Sequence, residues 1–417
     1  MRLLYIHQHF ATPQGSVGIR SYQMARGMIQ RGHAVTMVCG RGIDGQSGLS
    51  GSFAHGIRRG VVDGIDVIEV DLSYSNADGF LKRVGTFLSF MWRTVRLVFT
   101  ERYDVLFAST TPLTVGLPGI IGRWIRRKPF VFEVRDLWPE LPRAMGVIRN
   151  PLILWAMSAL EWASYRSAHR LIGLSPGIVD GIARRGVPRR RIALIPNGCD
   201  LDIFSAPGAP WQPEGVRDES LLAIFAGAHG LANGLDSVID AAEILQRRER
   251  NDIQFVLIGN GMLKPALKAR AEREKMSNVI FLDAVKKTEL VGLLRRADVG
   301  LQILANIPAF YYGTSPNKFF DYIAIGLPVL NNYPGWLAEM ITEADCGIAV
   351  PPDDAEAFAD ALCAFADDRE RTAEQGRNAR ALAENRFARR ALVDAWADWV
   401  EGVIDSKRGP GTEIEIR

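Results

Sequence analysis

"SPNKFFDYIAIGLPV", residues 315–329, brackets a short apolar run with helix-start and helix-stop residues and then hands over to a strand. Ser315 can cap, Pro316 suits the first helical position, and Gly326 with Pro328 ends the helix before a strand beginning at Val329. The segment predicts a helix over 316–325. At helical spacing Lys318 and Asp321 share a face, which leaves two readings open. They can form a surface ion pair, worth only about 0.2–0.5 kcal/mol. Alternatively, the free N–H groups of the first turn and Lys318 make an anion site for a phosphate group, with Asp321 one turn deeper accepting from sugar hydroxyls. A nucleotide presents both features together.

Outward from this stretch the same strand–helix alternation repeats. Before it come "LLAIFAG", a helix over 234–248, "IQFVLIGNG", a helix over 263–275, "VIFLDAV", a helix over 288–296 and "VGLQIL"; "PVLNN" follows it. The first half runs "RLLYIH", a helix from Ile19 to Arg31, "AVTMVCG", "IDVIEVD", a helical stretch over 82–100, "YDVLFAST", "PFVFEV", helices through 151–167 and "HRLIGLS". Each half therefore predicts an α/β doubly wound parallel sheet of Rossmann type. "ALIPNGCDLDIF" (193–204), with the Pro-rich loop that follows to Pro213, marks the boundary between them. The expected domains are 1–198 and 199–386. In 387–417 a helix containing Trp396 and Trp399 is expected to cross back to the first domain, ahead of a loose tail, "SKRGPGTEIEIR". Two such domains facing each other imply an interdomain cleft at the carboxyl ends of both sheets, where this class of fold binds ligands.

The totals fit that organisation. A chain of 417 residues is long for one core, and two domains of about 200 residues are the natural division. With 47% hydrophobic and 23% charged residues it reads as globular throughout. "MRLLYIHQHF" is too short an apolar run for a signal peptide, lacks a small-residue cleavage site, and reads as a buried strand. Cys39, Cys199, Cys346 and Cys363 lie far apart without C-x-x-C spacing, so neither a disulfide framework nor a zinc site is indicated, and a cytosolic location is expected. The net charge of +3 is unevenly spread: residues 1–200 hold 26 Lys and Arg against 14 Asp and Glu, the remainder 24 against 33. The first half is thus suited to something anionic. No helix-turn-helix, zinc or RNA-recognition signature supports nucleic acid, which leaves membrane phospholipid preferred.

Several segments can carry chemistry. "HQHFATPQGSVGIRS" (7–21) is a strand, a loop and a helix start, and Gly15 and Gly18 either let backbone approach a phosphate or form a tight turn. It is not G-x-G-x-x-G, which argues against a dinucleotide. His7 and His9 alternate at a strand end, but no third metal ligand accompanies them. "LIGNGMLKPAL" (257–267) puts Gly259 and Gly261 at the carboxyl edge of the second sheet, where nucleotide contact is favoured over a mere turn. "DLD" (200–202) has the spacing of a metal-binding carboxylate pair but follows Asn-Gly as a turn would; no Mg²⁺ or Mn²⁺ site is indicated. "EVRDLWPELP" (133–142) clusters Arg135, Asp136, Trp138 and Glu140 after a buried strand, either for chemistry or as a salt-bridged loop over Trp138. "GFLKRVGTFLSFMWRTVRLVF" (79–99) is too charged to span a bilayer. It fits an interfacial helix that sinks Phe87, Phe90 and Trp92 into lipid and sets Arg93 and Arg96 at anionic headgroups, with a core helix bearing a solvated basic face as the competing reading. "RWIRRK" (123–128) and "RRGVPRRR" (184–191) add to the same basic half.

Taken in order, the N-terminal glycine loop with "RGHAVTMV", then "VRDLWPE", "LIGLSPGI", "IPNGCDLDIF", "FAGAHGLANGLDSVIDAAEIL", "LIGNG" and "SPNKFFDYIAIGLPVL" make the chain resemble, over nearly its whole length, the GT-B-fold retaining glycosyltransferases of family 4, and among them the WbuB-like enzymes of bacterial surface-polysaccharide assembly. "DLWPE", P-N-G-x-D-x-x-x-F and P-x-K-x-x-(D/E)-Y-x-A-x-G-x-P are together the specific part. In the family the second acid of an E-x7-E element binds the donor ribose, and Asp321 occupies that position. The resemblance implies a donor site of Ser315, Asn317, Lys318, Asp321, His229, Gly259, Gly261 and Val285. It also departs from the family. The first acid falls on Gly313. The Arg and Lys that grip the diphosphate fall near Ala228 and Asn233, leaving His229, Lys318 and Arg20 to supply charge, and the cleft histidine is replaced by Arg135 beside Asp136.

What the resemblance implies is sugar transfer with retention from a nucleotide-sugar, UDP favoured, without metal or other cofactor. The acceptor would be a polyprenyl-diphosphate-linked glycan at the anionic inner face of the cytoplasmic membrane. Lys318 and Arg135 would stabilise the leaving group and Asp136 would orient donor sugar or acceptor. Two other readings stay open: a UDP-N-acetylglucosamine 2-epimerase-like enzyme, which shares the architecture, and a catalytically degenerate scaffold in an assembly complex.

Overall fold

A computed structural model of the chain describes residues 1–15, 17–42, 47–74 and 78–404; the tail read in 406–417 lies outside the described residues. The chain divides into two units, one of Met1–Asn197 with Gly313–Ser315 and the residues from Arg390 on, the other of Gly198–Tyr312 and Pro316–Arg389.

The first unit is built on eight strands: β1 (Arg2–Ile6), β2 (Ala34–Gly42), β3 (Ile57–Val62), β4 (Ile65–Tyr74), β5 (Val105–Ser109), β6 (Phe130–Val134), β7 (Arg170–Gly173) and β8 (Ile192–Leu194). They lie in the order β3-β4-β2-β1-β5-β6-β7-β8. All pairs are parallel except β3 with β4. That antiparallel hairpin adds one edge strand to the expected parallel sheet. Asp63 and Gly64 both take positive φ, as a two-residue hairpin requires, and the Asp-Gly between "RRGVV" and "IDVIEV" is its signal. The helices are α1 (Arg20–Gln30), α2 (Phe80–Thr100), α3 (Gly116–Trp124), α4 (Glu140–Ala144), α5 (Pro151–Ser167) and α6 (Pro176–Arg184).

The second unit has six parallel strands, β9 (Leu221–Ala226), β10 (Ile253–Ile258), β11 (Val279–Leu282), β12 (Val299–Gln302), β13 (Val329–Asn331) and β14 (Gly347–Ala349), in the order β11-β10-β9-β12-β13-β14. Its helices are α7 (Leu201–Ser205), α8 (Asp236–Arg247), α9 (Lys264–Arg273), α10 (Lys287–Arg296), α11 (Pro308–Tyr311), α12 (Asn317–Ile325), α13 (Trp336–Glu343), α14 (Ala355–Asp367) and α15 (Arg369–Arg386). Strands β9, β10 and β12 supply Leu221, Phe225, Phe255, Leu257 and Leu301 to a core closed by Ile239 and Leu245 of α8 and Phe358 and Leu362 of α14.

A last helix, α16 (Arg389–Glu401), belongs from Arg390 on to the first unit. Trp396 explains why: it is fully buried, its ring 5.8 Å from Tyr5 of β1 and 4.8 Å from Phe107 of β5. Trp399 donates from Nε1 to the Leu171 carbonyl of β7 at 3.1 Å. Arg31 at the end of α1 adds ion pairs to Asp394 and Asp398. The two tryptophans of this helix therefore finish the core of the first sheet.

Candidate functional site

The opening stretch forms α12, one residue later than expected, with Pro316 at the cap position and no side chain capping its first turn. Ser315 does not cap, which corrects the expected start. Its hydroxyl oxygen instead accepts from the backbone N–H of Asn197 at 3.0 Å, and its carbonyl accepts from the Asn197 side-chain amide at 2.6 Å. The uncapped first turn, with Asn317 at its start, leaves N–H groups suited to an anion.

Lys318 and Asp321 do not pair, and neither lies on an exposed face. Lys318 is half-buried. Its ammonium donates to Asn233 Oδ1 at 2.7 Å and to the Ile303 carbonyl at 3.4 Å and sits 4.5 Å from the centre of the Phe225 ring. Among the described residues no carboxylate pairs with it, and burial alone lowers its pKa to about 7. A cation held by neutral oxygens and an aromatic face is prepared for a negative charge from outside.

Asp321 turns the other way. It is buried, and its Oδ1 accepts from Lys287 Nζ at 2.9 Å. Lys287 also reaches Asp200 Oδ2 at 3.0 Å, and Asp200 Oδ1 takes Arg389 Nε at 2.8 Å. The four charges form a buried alternating network. Burial would raise the Asp200 pKa, but Arg389 and Lys287 overcome it and hold the carboxyl well below its ordinary range. For Asp321 burial wins and the pKa is raised. Burial would lower that of Lys287, but Asp321 and Asp200 outweigh it and raise it. The first carboxylate of "DLD" is thus held by two cations of the chain. None of this was visible locally: Lys287 is 87 residues from Asp200 and Arg389 is 189.

Beside Lys318 the loops after β9 and β10 interlock. Gly259 has φ +141°, and a Cβ there would collide with the Gly227 carbonyl. A Cβ on Gly261 would collide with the backbone of His229. The His229 amide donates to the Asn260 carbonyl at 3.0 Å. Both glycines are therefore demanded by the packing of one loop on the other, a reason independent of any ligand. His229 cannot supply the expected positive charge: it is fully buried, and burial, then Lys264, lower its pKa to about 4. Val285 is half-buried in the connection between β11 and α10.

In the first unit Arg20 is also corrected as a source of charge. It is fully buried, grips Glu133 Oε2 through Nε (3.1 Å) and NH2 (2.8 Å), and donates to the Pro196 and Ile195 carbonyls. Its partners lie 113 to 176 residues away. In the loop before it, Gly15 donates to the Thr12 carbonyl at 3.0 Å in a tight turn, and Gly18 lies just before α1.

At the carboxyl ends of β1, β5 and β6, by contrast, the expected residues do converge. Arg135 NH1 lies 3.0 Å from His7 Nε2, and His7 Nδ1 lies 2.9 Å from Ser21 Oγ. A guanidinium only donates, so Nε2 accepts and Nδ1 carries the proton toward Ser21. Burial, then Arg135, hold His7 well below its ordinary pKa and lower that of His9 to about 4. Both histidines are neutral at pH 7. Asp136 Oδ2 accepts from Thr111 Oγ1 at 3.1 Å and burial raises its pKa. Thr110 fixes the backbone between them by accepting from the Arg135 N–H at 2.9 Å. Arg135, Asp136 and the two threonines form a polar cluster able to position a hydroxylated ligand.

On α2 the expected lipid-facing set is mixed. Trp92, Arg93 and Arg96 are exposed, but Phe90 is fully buried and Phe87 stacks on Tyr74 at 5.6 Å. Phe90 is therefore core, which corrects its assignment. Among the described residues no helix is long and apolar enough to cross a membrane.

With this geometry in place, the comparisons are consistent. Residues 15–198 match the model of a glycosyl transferase 4-like domain, and residues 221–368 that of glycosyl transferases group 1. The chain belongs to the glycosyltransferases of family 4 type, with the GT-B fold. It is similar to the O-antigen chain mannosyltransferase C of Escherichia coli, 22% identical over 265 residues that cover 63% of this chain and 68% of the relative. It is also similar to the D-inositol 3-phosphate glycosyltransferase of Nocardia farcinica, 28% identical over 236 residues covering 53% of this chain and 48% of that one. The chain thus spans from about half to about two thirds of the length of these curated relatives. Among solved structures, sucrose-phosphate synthase from Thermosynechococcus elongatus superposes with a TM-score of 0.73 at 16% identity, covering 97% of this chain and 99% of that one. Anabaena HepE in complex with UDP-glucose superposes with a TM-score of 0.67 at 17% identity, covering 96% and 100%.

Proposed function

We propose that this glycosyltransferase moves a sugar, with retention, from a nucleotide-sugar to a polyprenyl-diphosphate-linked glycan in bacterial surface-polysaccharide synthesis, as a WbuB-like enzyme working at the inner face of the cytoplasmic membrane. The observation that carries the donor half is Lys318, an ammonium with no counter-charge among the described residues, in the uncapped first turn of α12. UDP is favoured as the carrier because the similar HepE binds UDP-glucose. The O-antigen relative supports the polysaccharide setting.

The chemical task is to stabilise a departing diphosphate while the sugar carries positive charge. The N–H groups of α12 and Lys318 take up leaving-group charge with fixed dipoles and a desolvated cation, and no metal is called on. Asp321 keeps Oδ2 for the ribose while Oδ1 holds Lys287. Arg135 and Asp136 position donor sugar and acceptor, with Arg135 adding positive charge. The leaving phosphate takes the acceptor's proton on the face where the acceptor attacks, which keeps the anomeric configuration.

Thermal-shift and calorimetric titrations with UDP, GDP, ADP and TDP test the donor half. The expected result is a UDP-selective stabilisation without added metal. Its pH dependence follows from Lys318. Of the two forms of Lys318 only the ammonium attracts the diphosphate, and the free protein loses it near pH 7, so affinity weakens above pH 7 by up to about tenfold per unit. A pH-independent affinity, or no binding of any nucleotide, would remove Lys318 as the diphosphate cation.

A further inference from the structure

Helix α5 carries a surface that sugar transfer does not use. Its sequence, "PLILWAMSALEWASYRS", buries Glu161, Ser164, Tyr165 and Ser167 and leaves most of its large apolar side chains outward. One side packs on α3, where Gly116 admits Ser164 and Trp124 Nε1 donates to Ser167 Oγ at 2.9 Å. The other leaves Leu152 75%, Trp155 72% and Trp162 51% exposed, with Ala156 and Ala159 between them at helical spacing. A helix that turns large apolar side chains outward belongs against an apolar partner or in lipid. Trp124 and Ile125 at the end of α3 are as exposed as Trp155 and Trp162, and Trp92 on α2, the helix on the other side of α3, adds a further ring.

Most charges around this face are of one sign, exposed Glu140 of α4, near Glu161 and Tyr165, being an exception. Residues 80–100, 116–128 and 145–167 contain a single carboxylate, Glu161, which is buried and paired with Arg185 at 2.6 Å. Against it stand exposed Arg93, Arg96, Arg126, Arg127, Arg149 and Arg166. Two arginines lie against the tryptophans, Arg123 4.9 Å from the Trp124 ring and Arg166 5.4 Å from the Trp162 ring. Tryptophan beside arginine, around aliphatic side chains, suits the level where acyl chains meet headgroups. We propose that the exposed face of α5, continued by Trp124 and Ile125, docks on an anionic lipid bilayer with α5 lying in the headgroup region. Nucleic acid would use the cations but has nothing for Leu152 and Ile153. A second copy would set six arginines against six, a like-charge contact that costs affinity. The proposal deepens the reading of a membrane-held acceptor, and its test uses neither donor nor acceptor, so the two can fail separately.

Flotation with phosphatidylglycerol-containing vesicles, and with pure phosphatidylcholine as reference, tests it. The wild type is expected to float with the anionic vesicles. W155S/W162S, at two exposed positions, is expected to lower the partition at least about tenfold with an unchanged melting temperature. R126S/R127S is expected to lower it by about tenfold to thirtyfold, and less at high salt. No flotation of the wild type, or equal flotation of W155S/W162S, would overturn the proposal. So would a dimer that W155S/W162S disperses, which would assign the face to a second copy.

Discussion

Lys318→Met is expected to raise the melting temperature of the unliganded protein while abolishing its stabilisation by UDP. In the folded chain the Lys318 pKa is lowered to about 7 by burial, whereas in the unfolded chain it keeps its ordinary value near 10.4. A group with a depressed folded pKa contributes stability that is present above the unfolded pKa and lost as pH falls through the folded one. Between pH 10 and pH 7 the unliganded wild type therefore loses stability progressively, on the order of 1–2 kcal/mol once partial exposure is allowed for. Methionine matches the stem, packs against Phe225 and has no charge to desolvate, so the variant lacks this slope. Loss of the diphosphate cation is expected to lower kcat/KM about 10²–10³-fold. A more stable, inactive variant cannot be explained by misfolding, which is why this residue tests the site better than a truncation would. A variant that melts lower and still responds to UDP would show Lys318 to be structural.

That opposition between stability and use separates the two kinds of residue that the sequence presents alike. The start and stop of α12 were legible because Pro316, Gly326 and Pro328 act within a few residues of themselves, and the alternation of strands and helices was legible for the same reason. The β3–β4 hairpin went unread: its Asp63-Gly64 turn signal is local, but the strand before it is short and basic and does not read as one. Which charged residue faces which was not. Arg20 reads as a cation beside a glycine loop, yet Glu133 consumes it from 113 positions away. Lys318 and Asp321 share a helix turn but diverge, because Lys318 lies over Phe225 while Asp321 finds Lys287, a residue that no motif singles out. Helical periodicity puts side chains on one face. It says nothing of partners delivered by other strands and helices. Arg135 and Asp136 stood out as candidates because a strand's carboxyl end is itself a local feature, whereas Thr110 and Thr111 come from the segment after the neighbouring strand β5.

Lys287→Met is expected to destabilise the second unit by about 3–5 kcal/mol, the cost of leaving a buried charge without its partner. Asp200 keeps Arg389 at 2.8 Å, but Asp321 loses its 2.9 Å bond and has no other cation in contact among the described residues. Its pKa is already raised by burial and rises further in the variant. An acid with a raised folded pKa contributes stability below its unfolded pKa that is lost as pH rises through the folded one, so the variant's deficit is expected to be small in mild acid and largest at neutral pH. Asp321→Asn removes the charge that needs a partner, and the double variant Lys287→Met/Asp321→Asn is expected to recover roughly half of the loss, a coupling on the order of 2 kcal/mol. Urea melts at two pH values measure all four corners of the cycle. The same proteins decide what Asp321 does for the donor. If Oδ2 holds the ribose, Asp321→Asn is expected to weaken UDP at least about tenfold even where it is fully folded; if UDP binds the folded Asp321→Asn protein as it binds the wild type, the carboxylate serves only to hold Lys287.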